Sequence, residues 1–306
     1  MTALEVINIS KSFGEIKAVD DASFIVPEGS IFGLLGRNGA GKTTTIRMMM
    51  NIIMPDKGDI KFRGIEAGPE FNSKVGYLPE ERGLYKKMKV LETLQFFAEI
   101  KGKKGKKITK LAKEYLERFE LTDRINSKIE DLSKGNQQKV QFISTLLHDP
   151  EVLILDELFS GLDPINTNLM KDLILELKTK GKIIVFSTHV MSFAEKMCDH
   201  IAIIDHGKIK LNGAMNEIKA ERSRLNVSLN YDGNISFLQN HPIIESISDY
   251  GNSVGIKVSQ EKDIQTLLKL LVDNKVVIKK FDANDISLEE IFIDLVGEED
   301  AEVKNV

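Results

Sequence analysis

The first 215 residues alternate between short apolar runs and segments whose apolar residues recur at helical spacing. Residues 152–155 and 183–187 are short apolar runs, a pattern typical of strands buried on both faces of a parallel sheet. At 90–100, apolar residues recur every three or four positions, which predicts a helix with one buried side. This alternation predicts an α/β domain in which helices cover a mainly parallel sheet.

The pattern changes after Gly213 and predicts a second, smaller domain of the α+β class. Strands and helical segments follow there in βαββαβ order, which is typical of a ferredoxin-like domain. The strands are predicted at 225–229, 243–248, 254–258 and 276–281, and the helical segments at 235–239 and 262–272. The predicted parts of the chain are a first domain at 1–215, a connector at 216–224, a second domain at 225–298 with its last helix at 288–296, and an acidic tail at 299–306.

Composition indicates an ordinary folded protein, because 42% of the residues are apolar and 29% are charged. No apolar stretch is long enough for a membrane span, and the N-terminus lacks a secretion leader, so a cytoplasmic location is expected. Cys198 is the single cysteine, which excludes an internal disulfide. The net charge of −4 argues against general nucleic-acid binding.

A glycine-rich segment follows the predicted strand that begins at Ser30 and fits the pattern G-x-x-x-x-G-K-[ST]. Glycines allow backbone N–H groups to curl around a phosphate chain, and a helix that begins at the end of the loop directs its unpaired N–H groups at the anion. A lysine in this position reaches the terminal phosphates, and the next hydroxyl can hold Mg²⁺. A glycine turn without a ligand is the plainer alternative. The predicted nucleotide-binding residues are Gly36, Arg37, Asn38, Gly39, Ala40, Gly41, Lys42, Thr43 and Thr44.

Two acids, Asp156 and Glu157, end an apolar strand, where the carboxyl ends of parallel strands face a ligand crevice. Asp156 is expected to support Mg²⁺ together with Thr43, and Glu157 to act as a base on the attacking water. His189 stands where the next apolar strand ends beside the same crevice. A structural or exposed role is the alternative for this histidine.

Three further segments carry candidate residues with a plain alternative each. Phe13, ahead of the glycine loop, could stack on a base or belong to the core. Glu80, in a loop after a predicted strand, could contact Mg²⁺ or its water. Ser133 and Gly135 open a helix and form a second anion-friendly terminus, although an ordinary N-cap explains them equally well.

A strongly basic link occupies residues 101–107 between the helix at 90–100 and a second helix predicted to be capped by Thr109. A solvated flexible loop explains this charge. The sharper alternative is attraction to anionic lipid headgroups.

Taken in their order along the chain, over residues 4–215, the motifs resemble the nucleotide-binding domain of the ABC ATPases. The resemblance implies a P-loop NTPase fold with a helical subdomain at about 84–150, and ATP and Mg²⁺ as cofactors. It implies that Phe13 stacks on adenine, that Asp156 supports Mg²⁺, that Glu157 activates water and that His189 contacts the γ-phosphate. Ser133, Gly135 and Asn136 would close over ATP held by a partner's phosphate loop, so hydrolysis would need a pair of subunits. The chain departs from the family pattern at Lys134 and Asn136, in a segment that usually reads Leu-Ser-Gly-Gly-Gln, and at Glu80, where glutamine is usual.

The single ATPase domain with an added α+β unit looks most like the ATP-binding subunits of ABC-2 type export systems, including the sodium-efflux kind. Such subunits form homodimers or pair with a related chain, and they dock on a separate membrane permease, here through residues 80–97. This implies a peripheral location on the inner face of the cell membrane, with no nucleic acid as partner. The alternative is an ABC ATPase that acts on ribosomes or DNA.

Overall fold

A computed structural model describes residues 2–81, 83–223, 225–251, 253–283 and 286–303. The chain divides into two compact units, and each has its own hydrophobic core. The first comprises Met1–Val190 and Met197–Asn212, and the second comprises Met191–Lys196 and Gly213–Val306. The second unit therefore includes a short segment that precedes the predicted boundary at residue 215.

The first unit contains an antiparallel sheet in the order β2-β1-β4-β5. Val6 on its central strand pairs with Phe24 on one side and Ile60 on the other, and all three side chains are buried. These strands are β1 (Thr2–Phe13), β2 (Ile16–Pro27), β4 (Lys57–Phe62) and β5 (Ile65–Glu66).

The second sheet of this unit has six strands in the order β10-β9-β3-β8-β7-β6, and β9, β3, β8, β7 and β6 run parallel. Every residue of the three central strands is buried, which accounts for their mainly apolar sequences. The predicted parallel α/β core is confirmed. The strands are β3 (Ile31–Leu35), β6 (Val75–Leu78), β7 (Val152–Asp156), β8 (Ile183–Thr188), β9 (His200–Asp205) and β10 (Lys208–Ala214).

Helices follow the strands of the first unit, and most begin where the sequence predicts. The helix Pro164–Thr179 is capped by the Asp163 side chain, which accepts a hydrogen bond from the Asn166 backbone. The helices of this unit, in chain order, are α1 (Lys42–Met49), α2 (Pro69–Ser73), α3 (Val90–Ile100), α4 (Lys106–Arg118), α5 (Lys134–Leu146) and α6 (Pro164–Thr179). The next helix, α7 (Met191–Met197), lies in the second unit except for its last residue.

The prediction that Thr109 caps the second helix is wrong, because α4 begins three residues earlier, at Lys106. Gly105, with φ of 93°, precedes the helix in a conformation that favours glycine. Thr109 lies in the first turn, where its hydroxyl accepts a hydrogen bond from Gln95 on α3. The basic link is thus partly helical.

The second unit contains a four-stranded sheet in the order β12-β13-β11-β14, which is the strand order of a ferredoxin-like βαββαβ fold. The first helical segment is a short 3₁₀ turn at Ser236–Leu238, and the second is a full helix whose Ile264, Leu267 and Leu271 enter the core. The elements are β11 (Asn226–Asp232), β12 (Ile244–Asp249), β13 (Val254–Val258), α9 (Asp263–Asp273), β14 (Val277–Ala283), and the flanking helices α8 (Met215–Ser223) and α10 (Leu288–Val303).

The last helix runs further than predicted. It was expected to end at Val296, but α10 continues to Val303, so part of the predicted acidic tail is helical. Alanine and glutamate in this segment are good helix formers, and the single Gly297 does not stop the helix. Residues 304–306 of the tail and Arg224 of the connector lie outside the described residues.

Candidate nucleotide site

Two glycines of the loop between β3 and α1 are required by their surroundings. Gly41, directly before α1, has φ of 109°, and a Cβ there would lie 2.5 Å from the carbonyl oxygen of Ala18. A Cβ on Gly36 would lie 2.2 Å from the carbonyl oxygen of Ile204. The loop therefore wraps tightly against two strands and leads into the N-terminus of α1, where backbone N–H groups are available to an anion.

Lys42, the first residue of α1, is held inside the loop. Its Nζ donates to the carbonyl oxygens of Gly36 at 2.8 Å and Arg37 at 3.1 Å, and it lies 3.3 Å from Oε1 of Glu157. Only 6% of the residue is exposed. The ammonium group is thus fixed between the phosphate loop and the carboxylate that follows β7.

Asp156 ends β7 and is buried beside the loop. One carboxylate oxygen accepts a hydrogen bond from the Ser187 hydroxyl, while Oδ2 has no hydrogen-bond partner among the described residues. Burial raises the pKa of Asp156, and hydrogen bonds from the Ser187 and Thr43 hydroxyls oppose that rise. An unpartnered carboxylate oxygen beside a threonine hydroxyl fits Mg²⁺, which prefers oxygen ligands and usually takes one or two carboxylates together with substrate phosphates.

Glu157 follows the strand in a left-handed backbone conformation with φ of 50°, which is rare for a residue with a side chain. Its backbone N–H donates to the Ser187 hydroxyl at 3.0 Å, and its Oε2 lies 3.0 Å from Nδ1 of His189. Because the carboxylate accepts this bond, Nδ1 carries the proton and Nε2 is left for another partner. Glu157 is buried, whereas His189 is exposed.

Ser187 is a residue of this site that the sequence analysis missed as functional. Its hydroxyl donates to Asp156 and accepts from the backbone of Glu157, so it fixes both acids. Asp156 and Ser187 are also register partners in the sheet. The sequence offered one signal for this role, because Ser187 stands near the end of a parallel strand, two residues before His189.

A cavity of about 350 Å³ lies over the loop. Its lining includes Glu80, which was predicted to contact Mg²⁺ or its water, and Thr44, which was predicted to bind phosphate. It also includes Ala18 of β2, which the sequence analysis did not single out. The lining residues are Ala18, Asn38, Gly39, Gly41, Lys42, Thr43, Thr44, Glu80 and Glu157.

Phe13 is not among the residues that line this cavity. It lies at the end of β1 and is 49% exposed, with Nζ of Lys11 5.9 Å from the ring centre. Neither a core position nor a stacking position within the cavity is therefore observed. Ala40 is buried within the loop, and Arg37 is exposed.

Ser133, Gly135 and Asn136 do not line the cavity either. Ser133 caps α5, and its hydroxyl accepts a hydrogen bond from the backbone N–H of Asn136 at 3.3 Å. A Cβ on Gly135 would make only ordinary contacts, the nearest at 3.7 Å from Leu162. Among the residues that the structure describes, none thus requires glycine at position 135.

Two buried glutamines of α5 were also missed. Nε2 of Gln138 donates to the carbonyl oxygen of Leu158 at 2.6 Å, directly after the paired acids. Nε2 of Gln141 donates to the carbonyl oxygen of Glu81 at 3.2 Å, in the loop that carries Glu80. The signal was two amides three residues apart on a helix face that is otherwise buried. These bonds connect the helical segment to both acidic loops.

The parallel sheet, the glycine loop at the start of α1 and the acids at the end of β7 define a P-loop nucleotide hydrolase. Comparison with known proteins narrows this class. The family model described as "ABC transporter" matches residues 19–160, and the model described as "ATP-binding protein DrrA1-3-like, C-terminal domain" matches residues 213–296.

Full-length relatives agree with both matches. The chain is 43% identical over 294 residues to the uncharacterized ABC transporter ATP-binding protein YhaQ of Bacillus subtilis. This alignment covers 96% of this chain and 98% of the relative. It is 28% identical over 304 residues to the Nod factor export ATP-binding protein I of Rhizobium etli, with 98% and 95% covered. A solved ATP-binding subunit of an ABC transporter superposes with a TM-score of 0.67 at 32% identity, over 72% of this chain and 93% of that one.

The chain belongs to the ABC transporter ATP-binding proteins, and it is an ATPase of that family. The resemblance drawn from the motifs is confirmed, as is the predicted fold class of a P-loop domain followed by a ferredoxin-like domain.

Proposed function

We propose that this chain is the ATP-hydrolysing subunit of an ABC exporter, in which ATP-driven pairing of two ATPase subunits energises a separate membrane permease. The observation that carries the proposal is the match of both units, the ATPase and the ferredoxin-like unit, to relatives such as the Nod factor export protein. An ABC-2 type system of the sodium-efflux kind is the narrower form of this proposal.

The phosphates of ATP bind in the loop of residues 36–44, where α1 directs its free N–H groups and Lys42 supplies a positive charge. Asp156 and the Thr43 hydroxyl hold Mg²⁺, which neutralises charge on the phosphates when bound. Glu80 would contact the metal or its water, a role supported by its position in the lining of the same cavity.

Glu157 accepts a proton from the attacking water, because its buried carboxylate lies beside Lys42 and points into the same cavity. His189 donates to that carboxylate through Nδ1, and as the imidazolium cation it also donates through Nε2 to the γ-phosphate. Ser187 positions both acids through its hydroxyl.

A second copy completes the site. At the start of α5, Ser133 is exposed and Gly135 and Asn136 are half-buried, and none of the three lines this chain's own cavity. A Cβ at position 135 would make only ordinary contacts. In a two-fold pair, each α5 N-terminus covers the ATP held by the other subunit, which gives two equivalent sites. Phe13, which is exposed, can reach adenine only from outside the described cavity. A related chain can replace the second copy.

The permease docks on residues 80–97. Leu84 and Phe97 line an apolar groove of about 140 Å³ next to the loop that Gln141 holds. Tyr85, Phe96 and Phe97 form an aromatic cluster with centroid distances of 5.3 to 6.3 Å, and Tyr85 is 54% exposed. No helix in the described part of the chain is both long and apolar enough to cross a membrane. As the ATP-binding subunit of such an exporter, the chain lies at the inner face of the cell membrane, bound through its permease.

A pull-down from membranes and ribosome sedimentation from the same cells test the proposal. The tagged chain is expected to bring down a polytopic membrane protein, and substitutions of Leu84 and Phe97 by serine are expected to release it. Recovery with ribosomes or DNA instead, with no membrane protein, would refute transport and favour the non-transport alternative.

A further inference from the structure

The segment of residues 101–113 contains seven lysines and no acidic residue, in a chain whose net charge is −4. It spans the link after α3 and most of α4. Ile108, Ala112 and Leu116 form the buried side of α4, while Lys106, Lys107, Lys110 and Lys113 are exposed. We call the exposed lysines of residues 103–113 the basic face.

The lysines of the basic face do not stabilise helix α4 electrostatically. Lys106 and Lys107 occupy the first turn of α4, which has no acidic residue. Cations there oppose the positive end of the helix dipole, where anions are favoured. An anion from outside the chain would be attracted both by the lysines and by the free N–H groups of this helix end.

Few carboxylates of the described residues compensate the basic face. Lys110 lies 3.8 Å from Glu114, in a pair whose side chains are 81% and 56% exposed and which is therefore weak. Lys101 is occupied elsewhere, since its Nζ donates to the carbonyl oxygens of Asn72 and Val75.

A cavity of about 500 Å³ lies behind the basic face, and Lys103, Lys107 and Lys110 line it. Its apolar wall contains Ile108, Leu111, Leu146 and Leu147, and Tyr115 lines it too. The acids at the cavity are Glu114 and Asp149, and Asp149 is paired with Lys182 at 2.6 Å.

His148 also lines this cavity and is a second feature without an internal explanation. It is 6% exposed, and its Nδ1 has no hydrogen-bond partner among the described residues. Nε2 bonds the carbonyl oxygen of Val75 at 3.1 Å, so Nε2 carries the proton and Nδ1 is an acceptor. The cavity thus combines cations, an apolar wall and a free acceptor, which matches a phosphate group joined to hydroxyl-bearing and apolar parts.

We propose that the basic face binds anionic phospholipid headgroups, with the phosphate against Lys103, Lys107 and Lys110 and the glycerol region against the apolar wall. Ile100, the last residue of α3, is 63% exposed beside the lysine-rich segment and supplies an apolar contact for the interface. The proposal does not depend on transport, because it concerns the isolated chain and a lipid surface.

Vesicle sedimentation with the full chain tests this. We expect binding to vesicles that contain phosphatidylglycerol, no binding to pure phosphatidylcholine, and loss of binding as salt rises from about 0.01 M to about 1 M, where the Debye length falls from about 30 to about 3 Å. The variant K103Q/K107Q/K110Q is expected to lower the partition coefficient about 100-fold at low salt, at about fivefold per lysine. The matched control K196Q/K262Q/K269Q removes the same charge from exposed lysines of the second unit and is expected to change it less than about threefold.

The arginine variant K103R/K107R/K110R keeps the charge and is expected to keep binding, and circular dichroism checks that all variants fold. Equal binding to neutral and anionic vesicles, or equal losses in the basic-face and control variants, would overturn the proposal. Inorganic phosphate that binds through these lysines while anionic vesicles do not would assign the cavity to a soluble phosphate instead. Unchanged vesicle binding in the basic-face variant would overturn it too and leave an acidic protein partner for these lysines.

Discussion

Nζ of Lys42 lies 3.3 Å from Oε1 of Glu157, and both side chains are more than 90% buried. This contact joins the phosphate loop after β3 to the acid after β7. Lys42 also donates to two loop carbonyl oxygens, and Glu157 also contacts His189. The group proposed to hold phosphate and the group proposed to activate water therefore act on the same small volume.

Glu157→Gln is expected to lower ATP turnover by about 100-fold or more, since it removes the general base. ATP binding is expected to stay equal or become tighter, because Lys42 loses a competing carboxylate. Steady-state phosphate release and calorimetric ATP binding measure the two effects. Glu261→Gln, an exposed isosteric control in the second unit, is expected to change neither. Normal turnover in the Glu157 variant would remove this residue from the mechanism.

Lys42→Ala is expected to weaken ATP binding about 10- to 150-fold, the loss of one charge-assisted hydrogen bond to phosphate. The substitution also leaves the Glu157 carboxylate buried without its cation, which destabilises the fold. The double variant Lys42→Ala/Glu157→Gln removes both charges, so it separates the loss of phosphate contact from the loss of stability. Equilibrium ATP titration and thermal unfolding measure both. An ATP affinity that matches the unmodified chain would contradict the phosphate contact.

Asp156→Asn is expected to stabilise the chain in the absence of Mg²⁺ and nucleotide. Burial raises the pKa of Asp156 above 3.8, so the folded state holds its proton to higher pH than the unfolded state. The free energy of unfolding thus falls as pH rises through the interval just above 3.8, and the ionised carboxylate costs stability at neutral pH. The gain at pH 7 is expected to be on the order of 1 kcal/mol and to shrink as the pH is lowered into that interval.

Thermal unfolding with and without Mg²⁺ and ATP completes this test. Mg²⁺ with ATP is expected to raise the midpoint of the unmodified chain and to raise that of Asp156→Asn much less, because the metal has lost its carboxylate ligand. A destabilised variant at neutral pH, with the full gain from Mg²⁺ and ATP, would show that Asp156 is a structural acid only.

Gly41→Ala and Gly135→Ala are expected to separate a folding requirement from a contact between copies. Alanine at position 41 meets a carbonyl oxygen at 2.5 Å and a φ of 109°, so a clear drop in the unfolding midpoint is expected. Alanine at position 135, on the first turn of α5, would make only ordinary contacts and is expected to keep or slightly raise the midpoint. If Gly135 approaches a partner's ATP, the ATP turnover of the Gly135→Ala variant is nevertheless expected to fall. Full turnover in this variant would argue against the proposed contact between copies.

The sequence predicted the parts of this site that depend on residues near each other in the chain. The loop around Lys42 and the pair Asp156 and Glu157 follow from local motifs next to apolar strands. Ser187 could not be assigned in the same way, because its role comes from pairing with Asp156 across two strands 31 residues apart. The close approach of Ile204 to Gly36 likewise depends on strand order, which local patterns do not specify.

Element ends were the other weak point. Thr109 was expected to cap α4, but its hydroxyl bonds a side chain on α3, and Gly105 sets the helix start instead. The expectation that Phe13 stacks on adenine stays a prediction, since this side chain is exposed and does not line the cavity.

A mixing experiment tests the shared site most directly. Lys42→Ala and Gly135→Asp are each expected to be inactive alone, because one lacks the phosphate contact and the other blocks the covering helix. Mixed in equal amounts, they are expected to recover about a quarter of the unmodified turnover, since about half of the pairs are mixed and each mixed pair has one intact site of two. Turnover that stays at the level of the separate variants, in protein shown to be folded and to pair, would contradict an ATP site built from two copies.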